Sequence, residues 1–274
     1  MTNLPVYYIN LASRPDRRDH MERQFQRLGM AAERIEAVTA SNVEQLVIER
    51  EIPAEALHIL TAGEIACSLS HRLAWTKALE AGAQAVLILE DDALIAPALT
   101  KISREMIRTL RTGLVKLDTS SNMTVRLGSR IYKPVEGVHL RVLYSRPYGC
   151  GGYIVTNRVM REWLKSQFHH RIPVDNFVFS NDLLRHRTMQ ASPTLVTPSS
   201  DEAEGGAVGD SDLEVERVAK RRSSTAAGQP SRLTRLRTNW PIIWALMRHD
   251  PLVLLKSREL VHFAGLPDED ASGR

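Results

Sequence analysis

The sequence predicts an α/β domain whose ligands bind at the carboxyl ends of its strands, and three observations lead there. An apolar run at residues 5 to 10 is followed at once by a helical pattern. A second helical pattern, residues 61 to 82, leads directly into a second apolar run, Val86-Leu87-Ile88-Leu89. That run does not alternate, so it reads as a central strand covered on both faces, and it ends in three carboxylates, Glu90-Asp91-Asp92. Open α/β sheets bind ligands at such strand ends. Carboxylates about 5 Å apart repel by about 3 kcal/mol at an effective dielectric of 20, so the triplet requires solvent, a cation or a basic partner. A divalent metal carrying a phosphorylated ligand meets the requirement, and a solvated loop leaving the core meets it too.

Taken in order, residues 5 to 10 form the first strand. Ser13 and Asp16 have capping-box spacing for a helix with Pro15 in its first turn, Met21, Phe25 and Leu28 as its apolar residues, and Gly29 as its stop. Thr61 and Glu64 repeat the capping-box spacing at the head of the second helix, whose apolar stripe is Ile65, Leu69, Leu73 and Leu79. Leu114 to Asp118 reads as another strand, and residues 131 to 135 with 138 to 144 as a hairpin turning at Glu136-Gly137. The stretch Gly149-Cys150-Gly151-Gly152 before Tyr153-Ile154-Val155 predicts a strand entered by backbone that must approach something closely. A helix capped by Asn157 follows, with Val159, Met160, Trp163 and Leu164 inward. The chain has no internal repeat.

With 274 residues, 25% of them charged and only 5% aromatic, the chain is long enough for a sizeable core and poor in the rings of a nucleic-acid stacking platform. No nucleic-acid partner is expected. Residues 199 to 230, rich in Ser, Gly, Asp, Glu and Ala, read as a linker with a short helix near 211 to 221. Residues 231 to 274 interleave Arg232, Arg235, Arg237, Arg248, Lys256 and Arg258 with Trp240, Ile243, Trp244 and Leu246. A basic amphipathic tail of that kind suits an anionic membrane surface, or equally a helical pair packed on the core. No run approaches the roughly 20 apolar residues that span a bilayer, and the start of the chain lacks a signal-peptide pattern, so a cytoplasmic protein, peripheral at the inner face of the membrane, is expected. Cys67 and Cys150 have neither disulfide-framework nor zinc-site spacing and are expected to be reduced and buried.

Glu64, Ser68 and His71 fall at i, i+4 and i+7 of the second helix, a polar stripe that could line a site. Arg14, Arg17 and Arg18 stand at the helix start after the first strand, where guanidinium groups can grip phosphate or simply be solvated.

Several of these segments together carry a resemblance. Tyr8-Ile9-Asn10-Leu11 with Arg14, Asp16 and Arg17, Arg34 to Val38, Gly63-Glu64-Ile65-Ala66-Cys67 with Leu69-Ser70-His71, and Leu89-Glu90-Asp91-Asp92 resemble glycosyltransferase family 25 in order and spacing. Val115-Lys116-Leu117, Gly149 to Tyr153 and Pro173-Val174-Asp175 continue it. Ala66 departs from the family, which usually has Gly before the Cys. The resemblance, over residues 5 to 198, implies one GT-A-like, Rossmann-type domain with a mixed sheet in residues 1 to 198. It further implies a nucleotide-sugar donor, UDP-galactose or a related UDP-hexose, and a glycan or glycolipid acceptor such as lipooligosaccharide.

By the same resemblance Asp92 is the leading ligand of Mn²⁺ or Mg²⁺, with Asp91 or Glu90 in support, and Asn10, Leu11, Arg14 and Arg17 lie along the donor. Glu64 and His71 are expected to line the donor or acceptor pocket. Asp175 is the candidate general base if the reaction inverts, or else the cap of a helix starting near Asn176. Lys116 either neutralises diphosphate or lies on the exposed side of its strand. A metal-dependent nucleotidyltransferase and a catalytically silent scaffold are the alternatives.

Overall fold

Strand β1 (Val6–Asn10) is buried along its whole length and hands alternate side chains to two different cores. Val6 and Tyr8 join Met21 and Phe25 of helix α1 (Pro15–Leu28), while Tyr7 and Ile9 join Ala74, Trp75 and Ala78 of helix α4 (Ala62–Glu80). Strand β3 (Ala85–Glu90) divides in the same way, with Leu87 and Leu89 toward α1 and Val86 and Ile88 toward α4. A sheet covered on both faces explains why neither run alternates apolar with polar. The computed structural model describes residues 4–49, 51–101, 113–119, 124–135, 137–145, 149–181, 188–199 and 258–265.

Connection handedness accounts for the layering. From β1 the chain passes through α1 to β2 (Glu33–Glu36) on one side of β1, and then through α2 (Ala40–Ile48), α3 (Ala56–Ile59) and α4 to β3 on the other side, all three strands being parallel. Right-handed crossovers running in opposite directions place α1 and α4 on opposite faces of the sheet. They also leave a crevice beyond the carboxyl ends of β1 and β3, where the strand order reverses.

Beyond β3 the sheet becomes mixed. After β4 (Ala93–Ile95), β5 (Leu114–Lys116), β6 (Thr124–Val125), β7 (Leu127–Val135) and β8 (Val138–Leu143), strand β9 (Gly152–Thr156) inserts antiparallel between β3 and β5. With β10 (Met189–Ser192) the eight-stranded order is β2-β1-β3-β9-β5-β10-β8-β7. The resulting fold is the mixed-sheet, Rossmann-type α/β architecture expected from the sequence. Strand β11 (Val196–Pro198) pairs with β4 in a small second sheet, and helix α5 (Asn157–Leu164) covers the α4 face.

Three local readings are corrected. The Ser13–Asp16 capping box does not form: Arg14 occupies the N-cap without a side-chain cap, and its guanidinium takes both oxygens of Asp16 at 3.0 and 2.8 Å. At α5 the N-cap is Thr156, and the Asn157 backbone N–H is satisfied by the Gln84 carbonyl at 2.9 Å. On α4 the capping box of Thr61 and Glu64 is present, but Leu73 is exposed. The buried side runs through Ile65, Ala66, Ala74, Trp75 and Ala78, because alanines let the helix lie close to the sheet while Trp75 fills the gap toward Trp163 and Phe168.

The predicted close backbone approach is found at the glycines before β9. A Cβ on Gly152 would meet the Val196 side chain at 2.8 Å, and Gly149, with φ of +80°, faces Asp118 Oδ2. Gly152→Ala is therefore expected to destabilise the protein by about 1–3 kcal/mol through overpacking against a buried β11, read as a lower denaturant midpoint. An unchanged midpoint would mean that β11 yields.

The linker reading, its short helix near 211 to 221, and the tail as far as residue 257 lie outside the described residues, as does Glu136 at the tip of the β7–β8 hairpin. Of the tail, β12 (Glu259–Leu260) is extended rather than helical and pairs antiparallel with β6. Val261 is buried beside Val125 and Leu127, Phe263 packs on the α1-side core, and Glu259 holds Arg141 at 2.7 Å. The spacing of Val261 and Phe263 is that of a strand, which turns both toward the body.

Candidate active site

The crevice beyond β1 and β3 is a cavity of about 260 Å³. Its walls come from the end of β1 and the turn after it (Ile9, Leu11, Ser13), Arg17 of α1, the β2–α2 connection (Ala37 to Ala40), the amino-terminal half of α4, and Glu90, Asp91 and Asp92. The acidic triplet thus stands where the sequence put it, at the mouth of the strand order reversal. Asp91 and Asp92 form the turn from β3 into β4, and that turn is pinned by Ser199 N–H donating to the Asp92 carbonyl at 2.8 Å.

The three carboxylates have different surroundings. Asp91 is buried and both its oxygens are engaged: Oδ2 accepts from Asn10 Nδ2 at 2.8 Å and Oδ1 from Arg17 Nη1 at 3.2 Å. Burial still pushes its pKa up, against the pull of Asn10 and Arg17. Asn10 is itself fixed, because its Oδ1 accepts from Arg34 Nε at 3.0 Å. Glu90 is about one-third exposed, lines the cavity, and lies 3.4 Å from His71 Nε2. Asp92 is strongly perturbed. Burial first, and the neighbouring charge of Glu90 second, push its pKa up to about 7, with Arg17 pulling the other way. A carboxylate held in this way is an open demand for positive charge in the cavity.

Helix α4 presents Gly63, Ala66, Cys67, Ser70 and His71 to the cavity. These are the i, i+3, i+4, i+7 and i+8 positions of one helical face, rotated from the predicted polar stripe. Of that stripe only His71 reaches the cavity lining. The Glu64 carboxylate caps its own helix by accepting from Thr61 N–H at 2.9 Å, and the buried Ser68 hydroxyl donates to the Glu64 carbonyl. His71 is fully buried, with Nδ1 2.8 Å from the Tyr153 hydroxyl. Cys67 is half-buried in the cavity wall and Cys150 is buried, and both are free thiols. Burial pushes the Cys150 thiol up.

Residues 3–178 match the family model for glycosyltransferase family 25 (LPS biosynthesis protein), well over half of the chain. The chain belongs to glycosyltransferase family 25. Among curated relatives, the lipooligosaccharide biosynthesis protein lic2B of Haemophilus influenzae is 27% identical over 199 residues, covering 68% of this chain and 73% of the relative. The lacto-N-neotetraose biosynthesis glycosyltransferase LgtE of Neisseria meningitidis serogroup B is 29% identical over 170 residues, 58% of this chain and 59% of the relative. Procollagen galactosyltransferase 1 of Danio rerio is 27% identical over 231 residues, and there the chain spans 76% of itself but only 38% of the relative.

Within the family 25 fold, the remaining expected site residues divide. Leu11 and Arg17 line the cavity, and Asn10 supports it from below through Asp91. Arg14 is occupied by Asp16 and is not among the lining residues. Lys116 is on neither the exposed side of its strand nor the cavity wall. It is fully buried, donating to Asp118 Oδ1 at 2.7 Å and to the Gly149 carbonyl at 2.8 Å, with its ammonium 4.3 Å from the Phe179 ring centroid. Asp175 is also buried and is not among the lining residues; it already lies within the helical turn, and its Oδ1 accepts from the N–H of the next residue, Asn176, at 2.8 Å.

Sequence reading missed Asp118, which joins Lys116 to the Gly151 N–H, and Tyr153, which joins His71 to Trp75. The glycines beside Asp118 were the available signal. Nothing local marks Tyr153 apart from any other strand tyrosine. Among the described residues no helix is long and apolar enough to cross a membrane.

Proposed function

We propose that this chain transfers a hexose, galactose or glucose, from a UDP-sugar to a glycan or glycolipid acceptor of the lipooligosaccharide kind. One observation carries the reading: in a family 25 chain, Glu90, Asp91 and Asp92 all line the cavity beyond the carboxyl ends of β1 and β3. The donor set fits a hard divalent cation, since Glu90 and Asp92 offer carboxylate oxygens to the cavity and the ionised form of Asp92 lacks sufficient positive charge nearby. Glu90 and Asp92 would hold Mn²⁺ or Mg²⁺, which when bound offsets the charge that develops on a diphosphate leaving group.

The protein's own groups supply the rest. Arg17 keeps Asp91 in place and adds positive charge to the wall facing the donor. The apolar side chains of Ile9, Leu11, Ala37 and Val38 exclude water from one side of the cavity. Excluding water favours transfer to an acceptor hydroxyl over hydrolysis.

The test is a screen of the full chain against UDP-galactose, UDP-glucose and sugars activated by other nucleotides, with Mn²⁺, with Mg²⁺ and with chelator. Metal-dependent binding and slow hydrolysis of a UDP-hexose is the expected result. Selective turnover of a different nucleotide sugar would reassign the donor, and neither binding nor hydrolysis of any sugar would overturn the reading.

A further inference from the structure

Trp75, Tyr153, His71 and Glu90 form a continuous hydrogen-bonded line that runs from the α4-side core to the cavity. The indole Nε1–H of Trp75 lies 2.8 Å from the Tyr153 hydroxyl oxygen, that oxygen lies 2.8 Å from His71 Nδ1, and His71 Nε2 lies 3.4 Å from Glu90 Oε1. Trp75, Tyr153 and His71 are all fully buried, and the His71 and Tyr153 rings stack at 5.7 Å. An indole nitrogen can only donate, so Tyr153 must accept from it. The phenolic proton then needs an acceptor, and among the described residues His71 Nδ1 is the one beside it.

We propose that His71 is a positioning residue, held by Trp75 and Tyr153 as the neutral Nε2–H tautomer so that it donates to Glu90 and aims that carboxylate into the cavity. The opposite polarity leaves a buried hydroxyl proton without a partner, because Tyr153 would accept from both Trp75 and His71. Positioning matters because Glu90 is a flexible side chain beside two other carboxylates, and like-charge repulsion would swing it away from Asp92. A fixed N–H at its rear holds it where a ligand meets it. The 3.4 Å separation is long, as such bonds often are before a ligand closes the site.

The same atoms admit a competing arrangement. Cys67 Sγ, His71 Nε2 and the Glu90 carboxylate lie within 4.8 Å of one another, a spacing a soft transition metal could close. That centre needs a bare Nε2 and hence the reverse proton direction, which the Trp75–Tyr153 pair disfavours.

The consequence for turnover rests on the cavity being the transferase site, but the tautomer does not, and the experiment separates them. In the ¹⁵N-labelled full chain, long-range imidazole correlation spectra identify His71 as the signals lost in His71→Gln. Protonated Nε2 with unprotonated Nδ1 is expected, with the preference weakened in Tyr153→Phe. An Nδ1–H tautomer or an imidazolium would overturn the proposal, and so would thiolate-to-cobalt absorption on adding Co²⁺ that disappears in Cys67→Ser. With a donor that turns over, His71→Leu should lose about 30-fold in kcat with donor KM within about twofold, and His71→Gln, which keeps an N–H near the Nε2 position, should recover about tenfold of it. Equal kcat for His71→Leu and wild type would also overturn it, as would Gln and Leu variants equally impaired. Absence of turnover in the wild type would count against the transferase reading alone, leaving the spectra to decide the role of His71.

Discussion

Replacing Asp92 with Asn is expected to make the metal-free protein more stable at pH 8 and to abolish the metal-dependent turnover proposed above. The folded-state pKa of Asp92 stands near 7 against an ordinary 3.8. Between about pH 4 and pH 7 the unfolded chain has therefore released a proton that the folded chain retains, and stability falls as pH rises through that window. Below pH 4 both states are protonated and the Asn variant gains nothing; above pH 7 its gain is complete. Water in the open cavity screens part of the shift, so about 1–2 kcal/mol is expected, roughly 2–8 °C in melting temperature for a domain of this size. A cation entering the site displaces the proton, so apparent Mn²⁺ affinity should climb by up to about tenfold per pH unit below 7 and level off above it. Thermal melts at pH 4 and pH 8 with Mn²⁺ titration by calorimetry read both effects. A variant that melts like wild type at both pH values and binds Mn²⁺ undiminished would take Asp92 out of the site.

Loss of the Lys116 ammonium should have the largest effect on stability. Lys116 and Asp118 form an ion pair that is almost wholly buried, and Asp118 also accepts from the Gly151 N–H, so the pair ties β5 to the glycine-rich start of β9. Burial pushes the Asp118 pKa up and Lys116 draws it down, so the carboxylate depends on its partner to stay ionised. Lys116→Met leaves that carboxylate to be buried alone or to take up a proton, at about 3–5 kcal/mol by analogy with other broken buried pairs. Denaturant unfolding should show the loss. The double variant with Asp118→Leu should recover most of it, since two apolar groups need no partners. A single variant within about 1 kcal/mol of wild type that nevertheless binds donor poorly would return Lys116 to the diphosphate role the sequence suggested.

These two residues mark where sequence reading stopped. The boundary of β3 and the position of Glu90-Asp91-Asp92 were legible because a non-alternating apolar run and the charges that end it are adjacent in the chain. The Thr61–Glu64 capping box was legible for the same reason, its partners lying three residues apart. The Ser13–Asp16 box had the same spacing and failed, because Arg14 between them offers Asp16 a stronger, charge-assisted pair. Lys116 carries no local sign of its burial, since Asp118, the anion that makes burial tolerable, looks in the sequence like any other acidic residue at a strand end.

What the sequence determined by itself is the first strand and the helix after it, the long helix that leads into the central strand, the acidic end of that strand and the family to which the pattern belongs. Those features reside in short-range periodicity and in residues a few positions apart. The tertiary structure alone decided which carboxylate is paired, which keeps its proton to higher pH and which lies beside a histidine. Asp91 finds Asn10 and Arg17 from 81 and 74 residues away, and His71 finds Tyr153 across 82. The charge state and direction of each group depend on burial and on partners that only the packed sheet brings within 3 Å or so, and no local pattern encodes that distance.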